Sequence, residues 1–282
     1  PAYEMIKHSI TIHRGCFGGC SFCAITLHQG KYISSRSIDN IIREAEKISN
    51  QPDFKGTISD VGGPTANMYY MGGINKNRCL KCNRPSCIYP NICNNLNYNH
   101  SQLLTLYDSL KKIKKIKKIF VSSGVRYDLL ITNDKTIDKK NNLSNYTKNL
   151  ILNHVSGRLK VAPEHSNSYV LKLARKHPFS IFLQFRKIFY EISFNNNLNL
   201  QLTPYLIAAL PGCSIKEMKE LSETLRKLNI KVEQVQIFTP TPMTLSSTMY
   251  YTGKDPYTKE TIYIERDINM KKKQKDLFFF FK

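Results

Sequence analysis

Apolar residues recur along the chain in two patterns, one typical of helices and one typical of strands. The clearest helical pattern follows Ser37, a suitable N-cap, and repeats at the spacing i, i+3, i+4 and i+7. It consists of Ile38, Ile41, Ile42, Ala45 and Ile48. Further helices are predicted over 101–110, 146–152 and 214–229, the last of which opens with a capping-box sequence.

Short apolar runs alternate with these helices and predict strands. They cover 8–12, 56–61, 119–123, 159–162, 198–210 and 232–238. The order strand, helix, strand implies parallel pairing with right-handed crossovers. About six such units favour an α/β fold, a partial (β/α)6 TIM-like barrel, over a doubly wound sheet. Because functional groups in parallel α/β folds gather at the carboxyl ends of strands, the residues after each strand are the candidates for chemistry.

A glycine-rich loop after the first predicted strand carries Cys16, Cys20 and Cys23 at the spacing C-x₃-C-x₂-C. Glycines allow backbone conformations closed to other residues, so a short segment can wrap around a compact object. Three thiolates can bind three corners of a cubane iron–sulfur cluster, whereas a closed [4Fe–4S] site takes four cysteines. One iron would then keep an open position. The alternatives are a Cys₃His zinc site using His13 or His28, and plain buried thiols.

This loop, with Phe22 directly before its last cysteine, resembles the signature of radical S-adenosylmethionine (SAM) enzymes. The flanking segments 13–15 and 24–30 are similar to the YgiQ-type branch, and the similarity runs from about residue 9 to about residue 266. The resemblance implies a barrel of the radical SAM type and a [4Fe–4S] cluster that cleaves SAM to a 5′-deoxyadenosyl radical. It also implies a small flavodoxin- or ferredoxin-like electron donor. It does not define the substrate.

The same resemblance implies SAM contacts at the strand ends. Phe22 would pack near the adenine, and the carbonyls of Gly62 and Gly63 would bind the amino group, although Pro64 replaces the usual acid. A plain Gly-Gly-Pro turn would also explain these residues. The other implied contacts are Arg126 for a carboxylate or anionic substrate, Glu164 for the ribose hydroxyls, and Pro211 and Gly212 for the adenine.

These last assignments also have structural alternatives. Arg126 and Glu164 could pair with each other and brace the barrel rim. A structural ion pair perturbs the pKa of a carboxylate just as a functional site does, so the residue types alone do not distinguish the two roles. Pro211 and Gly212 also suit an ordinary strand-to-helix turn. The isolated Cys213 favours packing over chemistry.

A second cysteine group lies in an insertion at about residues 75–99. Cys79, Cys82, Cys87 and Cys93 follow the spacing C-x₂-C-x₄-C-x₅-C. Four thiolates can bind one tetrahedral zinc ion or an auxiliary iron–sulfur cluster, and the softness of sulfur does not choose between them. Four ordinary thiols are the remaining alternative. We therefore predict a second metal site here with its metal undefined.

The formal charge of +21 would ordinarily indicate an anionic partner such as nucleic acid. The lysines, however, occur together with many asparagines and isoleucines, a composition that codon bias in an AT-rich genome produces without a ligand. Nucleic-acid binding is therefore not favoured. Seven of the eight cysteines fall into two tight groups, which indicates metal binding in a reducing compartment. With no apolar run of membrane-spanning length, the chain is predicted to be cytoplasmic.

The leading hypothesis is a radical SAM enzyme of undefined substrate. Two alternatives remain: a tRNA-modifying methylthiotransferase-like radical SAM enzyme, and a non-enzymatic zinc or iron–sulfur protein that binds nucleic acid. We expect a radical SAM core over residues 1–266 and an irregular basic tail over 267–282. YgiQ-type proteins usually carry another N-terminal domain, which we expect to be missing from this chain.

Overall fold

The computed structural model describes residues 2–279, in which strands and helices alternate as the apolar pattern predicts. The strands are β1 (Ser9–Thr11), β2 (His13–Arg14), β3 (Ser34–Ser35), β4 (Thr57–Ile58), β5 (Asp60–Gly62), β6 (Gly72–Gly73), β7 (Leu96–Asn97), β8 (Lys118–Ile119), β9 (Arg158–Glu164), β10 (Gln201–Ala208) and β11 (Gln234–Ile237). The helices are α1 (Ala2–Ile6), α2 (Ile25–His28), α3 (Ile38–Ser49), α4 (Lys76–Leu80), α5 (Ser101–Lys111), α6 (Lys135–Asn141), α7 (Leu143–Asn153), α8 (Ser168–Ala174), α9 (Phe179–Asn195), α10 (Ile215–Lys227), α11 (Leu245–Thr252) and α12 (Ile268–Asp276). Two short 3₁₀ helices cover Ala66–Met68 and Tyr127–Leu129.

The main strands pair in parallel with their neighbours along the chain. Strand β1 pairs with β5, β4 pairs with β8, and β9, β10 and β11 form one parallel sheet in the order β11-β10-β9. The two groups meet where Val121 N donates to His154 O across 2.9 Å. Among residues 2–279 no pairing joins β11 to β1, so the barrel is partial and open. The predicted fold class is therefore confirmed.

The core lies between these strands and the helices that follow them. Ile10 and Val61 on the strands are buried beside Ile41 and Ala45 on α3, the face that the i, i+3, i+4 pattern predicts. Helix α3 begins as expected, with Ser37 Oγ accepting from Asn40 N. Helix α10 begins with the predicted capping box between Ser214 and Glu217. Local capping and burial thus agree in defining these two helices.

Several helices are not predicted by the patterns above. Among them, helices α8, α9 and α11 lie in the later part of the chain, and α9 buries Phe179, Phe182, Phe185 and Phe189 along one face. None of the helices among residues 2–279 combines the length and the apolar character that crossing a membrane requires.

The expected irregular tail is wrong for its described part, because residues 268–276 form α12. Asp267 caps this helix by accepting from Met270 N. Gln274 is fully buried, and its Oε1 accepts from Ala209 N at the end of β10 across 2.9 Å. Lys271 donates to the hydroxyl of Tyr250. The helix is held by polar contacts to the barrel, so apolar periodicity does not reveal it. Residues 280–282 lie outside the described residues.

Candidate metal and cofactor site

The cysteine loop begins directly after β2 and is shaped by two glycines in the left-handed region. Gly15 has φ +89° and Gly19 has φ +61°, a conformation that side chains disfavour. A Cβ on Gly15 would lie 2.1 Å from Tyr32 O, and one on Gly19 would lie 2.2 Å from Pro85 O. The loop therefore lies directly against backbone on both sides, with no room for larger residues at these positions.

The first two cysteine sulfurs accept hydrogen bonds from the protein. Gly18 N donates to Cys16 Sγ across 3.4 Å, and Arg126 Nη1 donates to Cys20 Sγ across 3.2 Å. The hydroxyl of Thr65 lies 3.5 Å from Cys16 Sγ. Hydrogen bonds to sulfur are one of the means by which proteins adjust iron–sulfur clusters. These donors suit thiolates that ligate a metal centre.

The third cysteine has a thiol that resists ionisation. Burial raises the pKa of the Cys23 thiol to about 11, and the nearby Cys20 and Cys16 add to the rise. Metal ligation requires the thiolate, so binding at this residue must release a proton. The neighbouring carboxylate of Glu164 also raises this pKa, which places Glu164 within electrostatic reach of the loop.

The side chain of Arg126 is held by Asp128 rather than by Glu164. Its Nε donates to Asp128 Oδ1 across 2.9 Å, and Nη2 forms a second, close contact to Oδ2. Its backbone is fixed by Asn67, whose Oδ1 accepts from Arg126 N and whose Nδ2 donates to Arg126 O. The alternative in which Arg126 pairs with Glu164 is therefore wrong. Burial would raise the pKa of Asp128, but the charge and hydrogen bonds of Arg126 lower it to about 2.

Glu164 ends β9 at a β-bulge, where the pairing with β10 shifts by one residue. Its φ of +66° is strained for a residue with a side chain. Its Oε1 lies 3.6 Å from the buried Lys176, whereas its buried Oε2 has no partner within the described residues. Bulges beside functional sites re-aim side chains. The unpartnered oxygen fits a ligand hydroxyl, as the assignment to a ribose requires.

The two glycines after β5 are tightly enclosed. A Cβ on Gly62 would lie 2.5 Å from Ser123 Oγ, and one on Gly63 would lie 2.7 Å from the ring of His13. The Gly62 carbonyl accepts from Ile12 N across 2.8 Å, so one of its two lone pairs belongs to the sheet. The backbone then leads to Thr65, beside Cys16. This segment is thus placed next to the cysteine loop.

The other assigned cofactor residues have mainly structural contacts in this chain. Phe22 is partly buried and packs against the main core. Pro211 and Gly212 are buried, Gly212 has φ +83°, and a Cβ there would meet Leu173 and Tyr169 of α8. Gly212 N donates to Tyr263 O. The buried Cys213 accepts from or donates to His165 Nε2 at 3.4 Å, in agreement with a packing role.

The four cysteines of the insertion line one cavity of about 140 Å³, together with Lys31, Arg78 and Arg84. Within residues 2–279, however, no three His, Cys, Asp or Glu side chains are arranged to hold a single metal ion. The structure thus gathers Cys79, Cys82, Cys87 and Cys93 without forming a tetrahedral one-ion site. The same observation applies to Cys16, Cys20 and Cys23 with His13, and His28 is exposed.

Three residues near the cysteine loop were not indicated by the sequence. Asp128 holds Arg126, Lys176 pairs with Glu164, and His177 lies 3.7 Å from Asp128. Lys176 and His177 lie in the short connection between α8 and α9, far from the cysteine motif in sequence. Lys176 is only 5% exposed, and a buried lysine is an indication of a functional site. The burial of a lysine, however, cannot be predicted from composition or spacing.

Comparison with known protein families gives two matches. Residues 10–225 match the family described as "Radical SAM superfamily", and residues 233–281 match "Domain of unknown function (DUF3362)". The second match covers the helix α12, which places that segment within a recurrent domain.

Curated relatives carry only the description "UPF0313 protein". The chain is 52% identical to one from Porphyromonas gingivalis and 50% identical to one from Bacteroides thetaiotaomicron, in each case over 100% of its length. A relative from the archaeon Methanosarcina acetivorans is 43% identical over 98% of the chain. These alignments cover 44%, 46% and 36% of the relatives, so the chain spans about half their length or less.

Among solved structures, the chain is similar to TsrM from Kitasatospora setae, a radical S-adenosylmethionine methyltransferase. One structure of TsrM, with tryptophan and a SAM analogue bound, matches the chain with a TM-score of 0.51 at 13% identity. A second structure of TsrM, with cobalamin and a [4Fe–4S] cluster bound, matches with a TM-score of 0.51 at 12% identity. Each match covers 96% of this chain and 45% or 46% of TsrM. At such identity the likeness concerns the fold alone.

Proposed function

The chain belongs to the radical SAM superfamily, and we propose that it is an enzyme that cleaves SAM reductively at a cluster bound by Cys16, Cys20 and Cys23. The family match over residues 10–225 supports the enzyme class and its two cofactors, a [4Fe–4S] cluster and SAM. When bound, the cluster supplies one electron to the SAM sulfonium, which yields methionine and a 5′-deoxyadenosyl radical. The substrate of that radical is a separate question.

One observation carries the assignment of residues: the cysteine loop, Arg126 and Glu164 meet at the same barrel rim. Arg126 bonds to Cys20 Sγ, and Glu164 is close enough to Cys23 to raise its pKa. Such a rim at the carboxyl ends of parallel strands is where this class of fold places its chemistry. The elements that bring these residues together are β1, the segment after β8, and β9.

Each of these residues has a distinct role in the proposal. The three cysteines hold the cluster and leave one iron open for SAM. Glu164 Oε2 accepts from a SAM hydroxyl, and Lys176 favours the ionised form of this carboxylate and orients it. Arg126 is occupied by Asp128 and Cys20, so we assign it to the cluster sulfur in preference to the SAM carboxylate. Gly63 and the carbonyl of Gly62 provide the close backbone approach for the amino group.

An electron must reach the cluster from outside, and we propose a small flavodoxin- or ferredoxin-like protein as the donor. The protein's contribution is to orient SAM and to exclude water and stray reductants. All eight cysteines are free, as a reducing, cytoplasmic environment would maintain them. Among residues 2–279, no contact favours the methylthiotransferase or the non-enzymatic alternative.

The proposal is tested by electron paramagnetic resonance of the reduced, anaerobically reconstituted protein with and without SAM. Binding of SAM at the open iron should change the spectrum of the cluster. The Cys213→Ala variant, which removes a thiol outside the site, should give the same change. A reduced cluster whose spectrum is indifferent to saturating SAM would contradict the proposal.

A further inference from the structure

The cysteine-rich insertion forms a closed unit that is anchored beside the first cysteine loop. Strands β6 and β7 pair in antiparallel fashion and bring its two ends together. Cys87 N donates to Phe17 O across 3.0 Å, and Ser86 Oγ donates to Gly18 O across 2.7 Å. The insertion is thus bonded to the backbone between Cys16 and Cys20. It is a fixed part of the site's surroundings, not a peripheral loop.

Backbone hydrogen bonds also fix the four cysteines in two pairs. Cys82 N donates to Cys79 O across 3.1 Å, and Cys93 N donates to Cys87 O across 2.8 Å. Cys79 lies within α4, whose N-cap is Asn75, and Cys82 follows that helix. Local bonding therefore holds the members of each pair at a set separation, and the closed insertion brings the two pairs to one cavity.

Two sulfurs of this group accept N–H bonds, as the sulfurs of metal-bound thiolates do. Asn95 Nδ2 donates to Cys79 Sγ across 3.2 Å, and Arg84 N donates to Cys82 Sγ across 3.4 Å. Gly73 is needed for this packing, because a Cβ there would lie 2.1 Å from Cys79 Sγ. Asn95 is itself held, since its Oδ1 accepts from Asn75 N.

The charge around the cavity is complementary to an anionic centre. Lys31, Arg78 and Arg84 line it, and no acidic residue is among its lining residues. A metal centre held by four thiolates carries a net negative charge, which nearby cations stabilise. Lys31 is fixed by donating to Arg84 O across 2.9 Å.

The spacing of the four cysteines distinguishes between the two kinds of metal centre. One zinc ion is bound at about 2.3 Å from each sulfur, so four ligating sulfurs nearly touch one another. Here the four cysteines lie around a space of about 140 Å³ that nine further residues also line, and no three of them are arranged to hold one ion. They are thus spread more widely than the ligands of a single zinc ion. A polynuclear iron–sulfur cluster is of the appropriate size.

From this geometry we infer that Cys79, Cys82, Cys87 and Cys93 bind a second iron–sulfur cluster, with all four ligands supplied by this chain. This cluster has no open iron and so does not bind SAM. The presence of this second cluster does not depend on the proposed SAM cleavage, so an experiment can contradict either proposal without contradicting the other.

The test is anaerobic reconstitution of the full chain with ferrous iron, sulfide and an equal concentration of zinc. In the Cys16→Ala/Cys20→Ala/Cys23→Ala variant, we expect about two or about four irons with equal acid-labile sulfide, as Cys₄ clusters contain. The matched variant Cys79→Ser/Cys82→Ser should lose that amount relative to wild type, and Cys213→Ala should lose none.

Zinc without sulfide in the triple variant would overturn the inference, and so would an absence of bound metal. If the triple variant does not fold, the wild-type protein still decides. Two clusters require about two or about four irons beyond the four of the first cluster, and a total of only about four would contradict a second cluster.

Discussion

Arg126 donates from Nη1 to Sγ of Cys20 across 3.2 Å, and its Nε and Nη2 donate to Asp128. The guanidinium is thereby a fixed cation against one of the proposed cluster ligands. A hydrogen bond to a ligand sulfur stabilises the more negative, reduced cluster and raises its reduction potential. This contact joins the segment after β8 to the loop after β2, and it suggests for Arg126 a role that the motif alone does not assign.

Replacing Arg126 with Lys should keep the cluster but lower its reduction potential. Lys retains the charge but lacks the planar fork that Asp128 holds. One charged hydrogen bond is worth about 1.5–3 kcal/mol, and if all of it stabilises the reduced form, its loss lowers a one-electron potential by about 65–130 mV. A redox titration monitored by electron paramagnetic resonance measures it. Arg158→Lys, at an exposed ion pair, is the control. An unchanged potential in Arg126→Lys would show that this contact does not act on the cluster.

The Glu164→Gln variant should bind SAM about tenfold more weakly while the cluster absorption stays constant, because one charged hydrogen bond is replaced by a neutral one. Glu233→Gln changes an exposed carboxylate and serves as the control. Equilibrium dialysis with SAM measures the affinity. Equal affinity in wild type and Glu164→Gln would remove Glu164 from the SAM site.

The affinity for SAM should also depend on pH through Glu164. Burial raises the pKa of this carboxyl, while Lys176 and Arg126 partly oppose the rise. The ionised form accepts the hydrogen bond, so affinity should decline as the pH falls through this raised pKa, above the usual range of a glutamate.

Gly19→Ala should abolish cluster binding at Cys16, Cys20 and Cys23, whereas Gly124→Ala should not. A Cβ on Gly19 would lie 2.2 Å from Pro85 O and would require φ +61°, so the loop must move. Gly124 has no atom within 4 Å of its Cβ position and no positive φ. Iron content after reconstitution, combined with circular dichroism to verify folding, compares the two. Full iron content in a folded Gly19→Ala would contradict the described loop conformation.

Four buried histidines should make the protein sensitive to mild acid. Burial lowers the pKa of His13, His154 and His165 to about 4 and that of His100 to about 3. At pH values between these lowered pKa values and about 6.5, the unfolded chain binds more protons than the folded chain. The free energy of unfolding is therefore not reduced by these histidines above about pH 6.5, and it falls as the pH is lowered below that value. Each group contributes up to about 1.4 kcal/mol per pH unit. Urea unfolding at pH 7 and pH 5 measures the loss.

The variant His100→Phe, which fills the same buried space without a titratable ring, should reduce this pH dependence. His28→Phe changes an exposed residue and is the control. An unfolding free energy that does not change between pH 7 and pH 5 would show that these histidines are not buried as neutral groups.

The sequence predicts much of the barrel because its signals are local. The apolar face after Ser37 and the capping box at Ser214 define their helices before any tertiary contact is considered. The cysteine motif likewise places Cys16, Cys20 and Cys23 in one loop. These features require only neighbours along the chain.

The partners of the site residues could not be predicted, because they depend on contacts between distant segments. Lys176 reaches Glu164 only because the short connection after α8 folds back onto β9. Helix α12 is attached through Gln274 and Lys271, polar residues whose burial has no periodic signature. Apolar spacing therefore reveals neither of these attachments.

The central claim is that Cys16, Cys20 and Cys23 hold a redox-active cluster that cleaves SAM. It is tested most directly by quantifying 5′-deoxyadenosine after anaerobic incubation of reconstituted protein with SAM and a strong reductant. Wild type and Cys213→Ala should form it, and replacement of any one of the three cysteines with Ala should abolish it. Formation of 5′-deoxyadenosine by such a variant, or its absence from wild-type protein with a complete [4Fe–4S] cluster, would contradict the account.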